Sequence, residues 1–508
     1  MTKLILRATS LVVWVLALAG IAAYVWLGTH RLGYPLELDF IEGVMMDHAW
    51  RVAHGQPLYV APSLNYIPLA YMPLFSVASG LLMKVIGPTF VAARSVSFGS
   101  TLGLMLLLAG IVWGETRRTT FAVAAAGIYA MAFGLTGACY DVARPDSLML
   151  FLTFSGLVVL RVTRGIPGAL AAAVLLTLGF FTKQHSLLFS FAACGYLLFH
   201  DRRRFLPFVT ALAVGCGGGY ALLDGWLGDW FRVYTWSIPR GWSTINKARI
   251  EHYVAGGLLG ALACTSVPTV LSLGAPDPDA RPGRVLWYWV ALGGLGTGML
   301  ATLDPWAYLH VFTPTVVALA VVGPLALERL GRRMDQIPGT FAGWAPALVM
   351  VVLAAQFVPL LYSVPIYRPR PHALEAHDEL VARIRALPNG AILPYHGWYD
   401  RQAGGEGSLQ YIALNDIERS RGNAILERDP DYLRRMFAPL ERGPGRPAIV
   451  TDVPLEHSGP LWRQIAPGYR LADSLGKVSP TLRPLTGNQH SITYLYLPVE
   501  PAETDTTR

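Results

Sequence analysis

Apolar residues run from Leu11 to Leu27 and then give way to a long polar stretch, from about Thr29 to Pro73. From residue 90 they return in ten blocks, at 90–113, 119–138, 147–162, 166–182, 185–199, 205–223, 253–274, 285–303, 307–327 and 340–361. Blocks of this length predict membrane-spanning helices, several near the short end of the range. The first run follows Lys3 and Arg7 but has no small-x-small cleavage site, so it reads as an uncleaved first span. Pro73–Gly87 is short, contains Lys84 and ends at Gly87-Pro88. If that piece only dips into the interface, the cytoplasmic turns hold Lys3/Arg7, Arg117/Arg118, Arg161/Arg164, Arg202/Arg203/Arg204, Arg281/Arg284 and Arg329/Arg332/Arg333. If it crossed fully, every cluster after the first would move outside, against the orientation rule. The pattern therefore predicts a polytopic α-helical protein with about eleven spans, a cytoplasmic N-terminus and everything after Tyr362 outside. It divides the chain into a membrane domain, 1–361, whose first outer loop is 28–89, and an extracytoplasmic soluble domain, 362–508.

Beyond Tyr362 the periodicity changes. "AILPYHG", "PAIVTD" and "TYLYLPV" read as strands, and "HALEAHDELVARIRALP" as an amphipathic helix, predicting a small α/β or α+β domain. The closing "PAETDTTR" has the composition of a disordered tail. Composition agrees with the membrane assignment: 53% of residues are hydrophobic and only 15% charged, where soluble domains carry nearer a quarter. The net charge of +8 lies largely in arginines of short loops and calls for no nucleic acid. Four scattered cysteines form no disulfide framework, and no CxxC or zinc spacing occurs.

The topology collects the acidic and polar material on the outer face. The first loop puts Glu37, Asp39, Glu42 and Asp47 beside the bilayer, where carboxylates are costly without partners or work. From Asp39 a short amphipathic helix is predicted, and Asp39 with Glu42 could be no more than a capping box at its start. The second loop, "CYDVARPDSLMLFL", supplies Asp141, Arg144 and Asp146; Asp146 could equally cap the span beginning at Ser147. Lys183, with Gln184 and His185 beside it, is either a snorkelling cation or one waiting for phosphate. A long outer loop mixes Trp226, Trp230, Trp236 and Trp242 with Arg232, Arg240, Lys247 and Arg249, which suits an anionic lipid headgroup. Histidines 30, 48 and 54 match no metal-binding spacing, so a divalent metal is possible here but none is predicted.

These features occur in a familiar order: "HGQPLY" and "AYMPL" in an acidic first loop, paired arginines after the next span, "RPDSL", then "FFTKQ". Over roughly the first 200 residues the chain resembles the GT-C superfamily of polyprenyl-phosphate-sugar-dependent glycosyltransferases. It is most similar there to family 39-like members, the protein O-mannosyltransferases and the lipid A aminoarabinose transferases. The resemblance implies a GT-C fold with juxtamembrane helices in the first outer loop. It implies Asp39 as catalytic base, with Glu42 a competitor because this chain has "ELDFIEG" where the family often has adjacent Asp-Glu. It carries the second-loop aspartate onto Asp146 and the lysine of the "TK" pair onto Lys183. Some relatives hold a lysine where this chain reads "NYIP", so Arg144, Arg240, Lys247 and Arg249 are expected to share the donor phosphate. Asp141, Tyr66, Tyr71 and His185 are expected to line the substrate pocket.

The implied reaction moves a sugar, with inversion, from a polyprenyl-phosphate donor to a hydroxyl of a glycan, lipid or protein. It needs a carboxylate to take the hydroxyl proton and cations where the phosphate departs. The implied setting is the outer face of a bacterial-type inner membrane. The alternative is a polytopic transporter or flippase, which would call for two related halves and charges near mid-bilayer, whereas these charges lie at span ends. A membrane scaffold for an outer domain would not call for acids, cations and aromatics in three separate outer loops.

Overall fold

The ten later apolar blocks all carry helix, and the polar first loop carries two short ones. The computed structural model describes residues 2–242, 244–273, 283–304, 308–336, 342–442, 445–475, 479–487 and 491–499. Arg281 and the tail "PAETDTTR" lie outside the described residues. The first half of the chain is α1 (Thr2–Leu32), α2 (Glu42–Ala53), α3 (Leu74–Ile86), α4 (Phe90–Thr116), α5 (Thr119–Met131), α6 (Asp146–Val162), α7 (Gly165–Thr182) and α8 (Leu187–His200). Small residues let α1 and α5 approach closely: a Cβ at Gly127 would sit 2.5 Å from that of Ala17.

Among the described residues, five helices are long and apolar enough to cross a membrane: α1, α4, α7, Arg202–Leu227 and Leu309–Gln336. Lys247–Ala261 and Ala263–Leu273, bent by 91°, make up to a sixth. The positions of the eleven expected spans are helical, but many of the helices are shorter than the apolar blocks that predict them. The block at 119–138 shows why. Its helix stops at Met131, and the chain turns through Gly137 and Ala138, both at positive φ, to deliver the second polar loop.

The start of α2 departs from the expected capping box. Its N-cap position is Ile41 and no side chain caps it. Asp39 instead closes a tight local turn, Oδ1 accepting the Ile41 N–H at 2.9 Å, while Glu42 reaches back to the Leu38 N–H at 2.7 Å. Asp146 is likewise no cap: α6 begins at Asp146 itself, with Pro145 before it and no side-chain cap.

At the other end of the bundle, carboxylates and arginines tie four helices together. Glu115 of α4 accepts from Arg161 of α6 at 2.7 Å and from the indole of Trp287 at 3.2 Å. Glu328 takes Arg284 at 3.2 Å and Arg332 at 3.1 Å.

The C-terminal part begins with the expected helix, Ala373–Arg385, and forms a four-stranded mixed sheet. Its strands are β1 (Ala391–Ile392), β2 (Ala448–Thr451), β3 (Tyr469–Asp473) and β4 (Tyr494–Pro498), in the order β1-β2-β4-β3. β1 and β2 run parallel, and the other pairs are antiparallel. Three strands fall in the predicted segments. β3 was missed because four of its five residues are exposed, leaving no apolar face to read. This domain sits on the first loop: Leu409 N–H bonds Leu64 O at 2.7 Å, Gln410 bonds Phe40 O at 3.1 Å, and Arg401 pairs with Asp47 at 2.7 Å.

Candidate active site

Asp39 and Glu42, three residues apart, have opposite surroundings. Glu42 is fully buried and accepts four hydrogen bonds: Arg94 Nε at 2.8 Å, Arg94 Nη2 at 2.6 Å, and the N–H groups of Leu38 at 2.7 Å and Ala143 at 2.8 Å. Burial favours its neutral acid, but Arg94 and the two amides overcome that and hold the carboxyl below its ordinary pKa. Asp39 is equally buried and its pKa is raised, chiefly by burial, with Arg144 only partly offsetting the rise. A carboxylate with such a raised pKa keeps more proton affinity than Glu42 does.

Arg144 joins Asp39 to the second polar loop. Its Nη1 lies 3.3 Å from Asp39 Oδ2, its Nε 3.7 Å from Asp146 Oδ2, and its Nη2 3.2 Å from His310 Nε2. Asp146 in turn pairs with Lys183 Nζ at 2.7 Å. The lysine ammonium stands 5.5 Å from the ring centroid of Tyr71. A carboxylate–cation chain, Asp39–Arg144–Asp146–Lys183, thus runs across three separate segments.

That chain borders a cavity of about 690 Å³, a size that suits a small-molecule site. Its described lining includes Arg144, Lys183, Arg240, Arg249 and Arg419 against Asp146, Asp304 and Asp416, an excess of cations that suits an anion. Ile41, Leu69, Met149, Leu300 and Val311 give it apolar walls, and Tyr71, Trp236, Trp242 and Tyr308 aromatic ones. Asp39 itself is not in the lining. Gly487, from the C-terminal domain, is. A Cβ at Gly487 would come within 2.2 Å of Asp39 Oδ2, so only a glycine lets this turn lie against that carboxylate. Thr486 anchors this turn, its N–H and hydroxyl both bonding Leu38 O at 2.8 and 2.9 Å.

Of the residues expected at the site, Asp146, Arg144, Lys183, His185, Tyr71, Arg240 and Arg249 meet at this cavity. Others lie elsewhere. Asp141 is buried against Arg31 at 2.7 Å, and Tyr66 is buried with its hydroxyl on Leu58 O. Lys247 is on the surface, its side chain 90% exposed and 3.7 Å from Glu251, and Arg232 pairs with Asp224 and Asp229. Histidines 30 and 54 bond the carbonyls of Trp26 and Trp50 in their own helices, and His48 Nε2 accepts the Leu69 N–H. Among the described residues no three His, Cys, Asp or Glu side chains are grouped to hold a metal ion. The structure adds His310, Asp416, Arg419 and Gly487, brought in by segments whose sequence carries no local motif. Arg94 was missed despite a usable signal: an arginine inside an apolar span needs a carboxylate partner.

No protein-family model matches the chain, and no curated protein is similar to it in sequence. Its fold, however, is that of solved structures. It is similar to ArnT from Cupriavidus metallidurans in the apo state, with a TM-score of 0.58 and 11% identity over 95% of this chain and 97% of that one. The same protein bound to undecaprenyl phosphate gives 0.56 and 11% over 97% of each chain. An Archaeoglobus fulgidus oligosaccharyltransferase in complex with Zn and sulfate gives 0.51 and 11% over 88% of this chain and 68% of that one. The chain therefore has the fold of GT-C membrane glycosyltransferases. These comparisons give no support to the transporter alternative.

Proposed function

We propose that the protein transfers a sugar from a polyprenyl-phosphate carrier to an acceptor hydroxyl, inverting the anomeric centre, at the outer face of a bacterial-type inner membrane. The observation that carries this is the chain from Asp39 through Arg144 and Asp146 to Lys183, set against a cation-rich cavity. The likeness in fold to a protein captured with undecaprenyl phosphate supports the choice of carrier.

Asp39 takes the proton of the acceptor hydroxyl as that oxygen bonds the anomeric carbon. The bond from that carbon to the phosphate oxygen breaks on the opposite face, and its electron pair leaves with the lipid phosphate. Lys183 and Arg144, with Arg240 and Arg249, face the charge developing there. Asp146 holds Lys183 and Arg144 in place. For the hydroxyl to reach Asp39 Oδ2, the turn at Gly487 draws back from Leu38. Glu42 is a brace for the loop and takes no part in the chemistry.

The test pairs two variants of purified protein in detergent. Release of undecaprenyl phosphate is followed from a panel of undecaprenyl-phosphate-linked pentoses and hexoses. Asp39→Asn should keep the fold and lower turnover by about two to four orders of magnitude, the usual loss of a general base. Glu42→Gln should cost about 3–5 kcal/mol of stability, since Arg94 loses its buried counter-charge. If Asp39→Asn transfers sugar at the wild-type rate, Asp39 is not the base.

A further inference from the structure

His310 lies in the short turn Leu309–Phe312 that leads into the helix Thr313–Gln336, and it lines the cavity. Its Nε2 is 3.2 Å from Arg144 Nη2. A guanidinium can only donate, so Nε2 accepts and the imidazole is neutral, with its proton on Nδ1. That Nδ1 is buried and has no hydrogen-bond partner among the described residues. Among the described residues the ring thus forms hydrogen bonds through Nε2 alone, where it accepts from Arg144.

Without His310, Arg144 would be held through its side chain by carboxylates alone, Asp39 through Nη1 and Asp146 through Nε. Nothing would then keep the guanidinium from rotating wholly onto one of them. With Nη2 fixed by His310, the fork spans all three partners and keeps a single contact to Asp39. The charged and titratable groups facing His310 are Arg144 from the second polar loop, Asp146 from α6, and Lys183 and His185 from the turn after α7. A proton on Nε2 would turn the acceptor into a donor aimed at Arg144.

We propose that His310 is a positioning residue, a neutral imidazole whose Nε2 holds Arg144 at the angle that leaves Asp39 able to accept a proton. This rests on Asp39 being the base of the transfer.

The experiment compares His310→Ala and His310→Gln with wild type, because the glutamine carbonyl can accept from Arg144 and does not titrate. His310→Ala should lower kcat roughly 100-fold, the scale of an ångström-sized misplacement, with KM for the lipid donor unchanged. His310→Gln should recover most of that loss. A cryo-EM structure of His310→Ala should show Arg144 moved from its position on Asp39. Undiminished kcat in His310→Ala, no recovery in His310→Gln, or an unmoved Arg144 overturns the proposal. Full activity in Asp39→Asn would instead overturn the reading beneath it, whereas the position of Arg144 in the map tests His310 whatever the donor.

Discussion

Asp39 and Glu42 are the same kind of group, three residues apart in one loop, and both are inaccessible to water. What separates them is their donors. Glu42 meets Arg94 and two amides, and Asp39 meets one local amide, a shared guanidinium and, at 3.9 Å, the weak donor of the Cys139 thiol. The sequence cannot tell these two surroundings apart, because Arg94 lies 52 positions beyond Glu42 and Arg144 lies 105 beyond Asp39. Gly487 makes the same point at longer range. It adopts φ +64° and would place a Cβ 2.2 Å from Asp39 Oδ2. Gly487→Ala should therefore push the turn off Asp39 and cost at least about 1 kcal/mol for the left-handed backbone alone. Burial is the main cause of the raised Asp39 pKa, so water admitted there should shift the acid limb of kcat/KM to lower pH. A melting temperature and acid limb equal to wild type would show that the turn absorbs the methyl without moving.

At the scale of helices, the arginines expected in the cytoplasmic turns hold helix ends together. Arg118, Arg161, Arg284 and Arg332 were placed in cytoplasmic turns by sequence, and all four come within 4 Å of Glu115 or Glu328. Glu115 is the centre of this network, bonding Arg161 and the indole N–H of buried Trp287. Glu115→Ala should cost on the order of 3 kcal/mol because it leaves a cation and an indole N–H without their acceptor, read as a lower melting temperature in detergent. Turnover at the same temperature, far from this end of the bundle, should be unchanged in the protein that remains folded. Helix positions were legible because apolar blocks are contiguous in sequence. Helix lengths were not, because glycine turns and bends such as that between Ala261 and Ala263 end a helix without ending the block.

Across the whole molecule, the C-terminal domain is clasped to the first loop by a buried histidine between two carboxylates. His396 Nδ1 bonds Glu37, and its Nε2 lies 3.1 Å from Asp452 Oδ2. Burial works against the imidazolium, but Asp452 and Glu37 outweigh it and push the His396 pKa from 6.5 up to about 10. A pKa raised on folding gives stability that is complete below pH 6.5 and is lost as the pH climbs to about 10. Burial raises Glu37 from 4.5 to about 7, so it withdraws stability between those values and adds no slope above them. The melting temperature of the wild type should thus fall between pH 7 and 10, and His396→Gln should lose that part of the slope. Equal slopes in the two proteins would show that His396 does not carry the charge of the clasp. Since this domain also brings Asp416, Arg419 and Gly487 to the cavity, loosening the clasp should lower transfer together with stability.

The sequence by itself determined the helical blocks and the change of character after Tyr362, and it limited the sidedness of the polar loops to an expectation drawn from the arginines. Each of these depends on runs of neighbouring residues and on what a bilayer tolerates. It also picked out Asp146, Arg144 and Lys183, because a polar residue at the end of an apolar run stands out locally, and Tyr71 through the "AYMPL" segment that carries the resemblance. Only the tertiary structure decided that Glu42 is held by Arg94 while Asp39 shares Arg144, and that His310, Asp416, Arg419 and Gly487 line the cavity. Those outcomes depend on donors and walls supplied from distant parts of the chain, and hydrogen bonding and burial act on distance in space rather than on position in sequence.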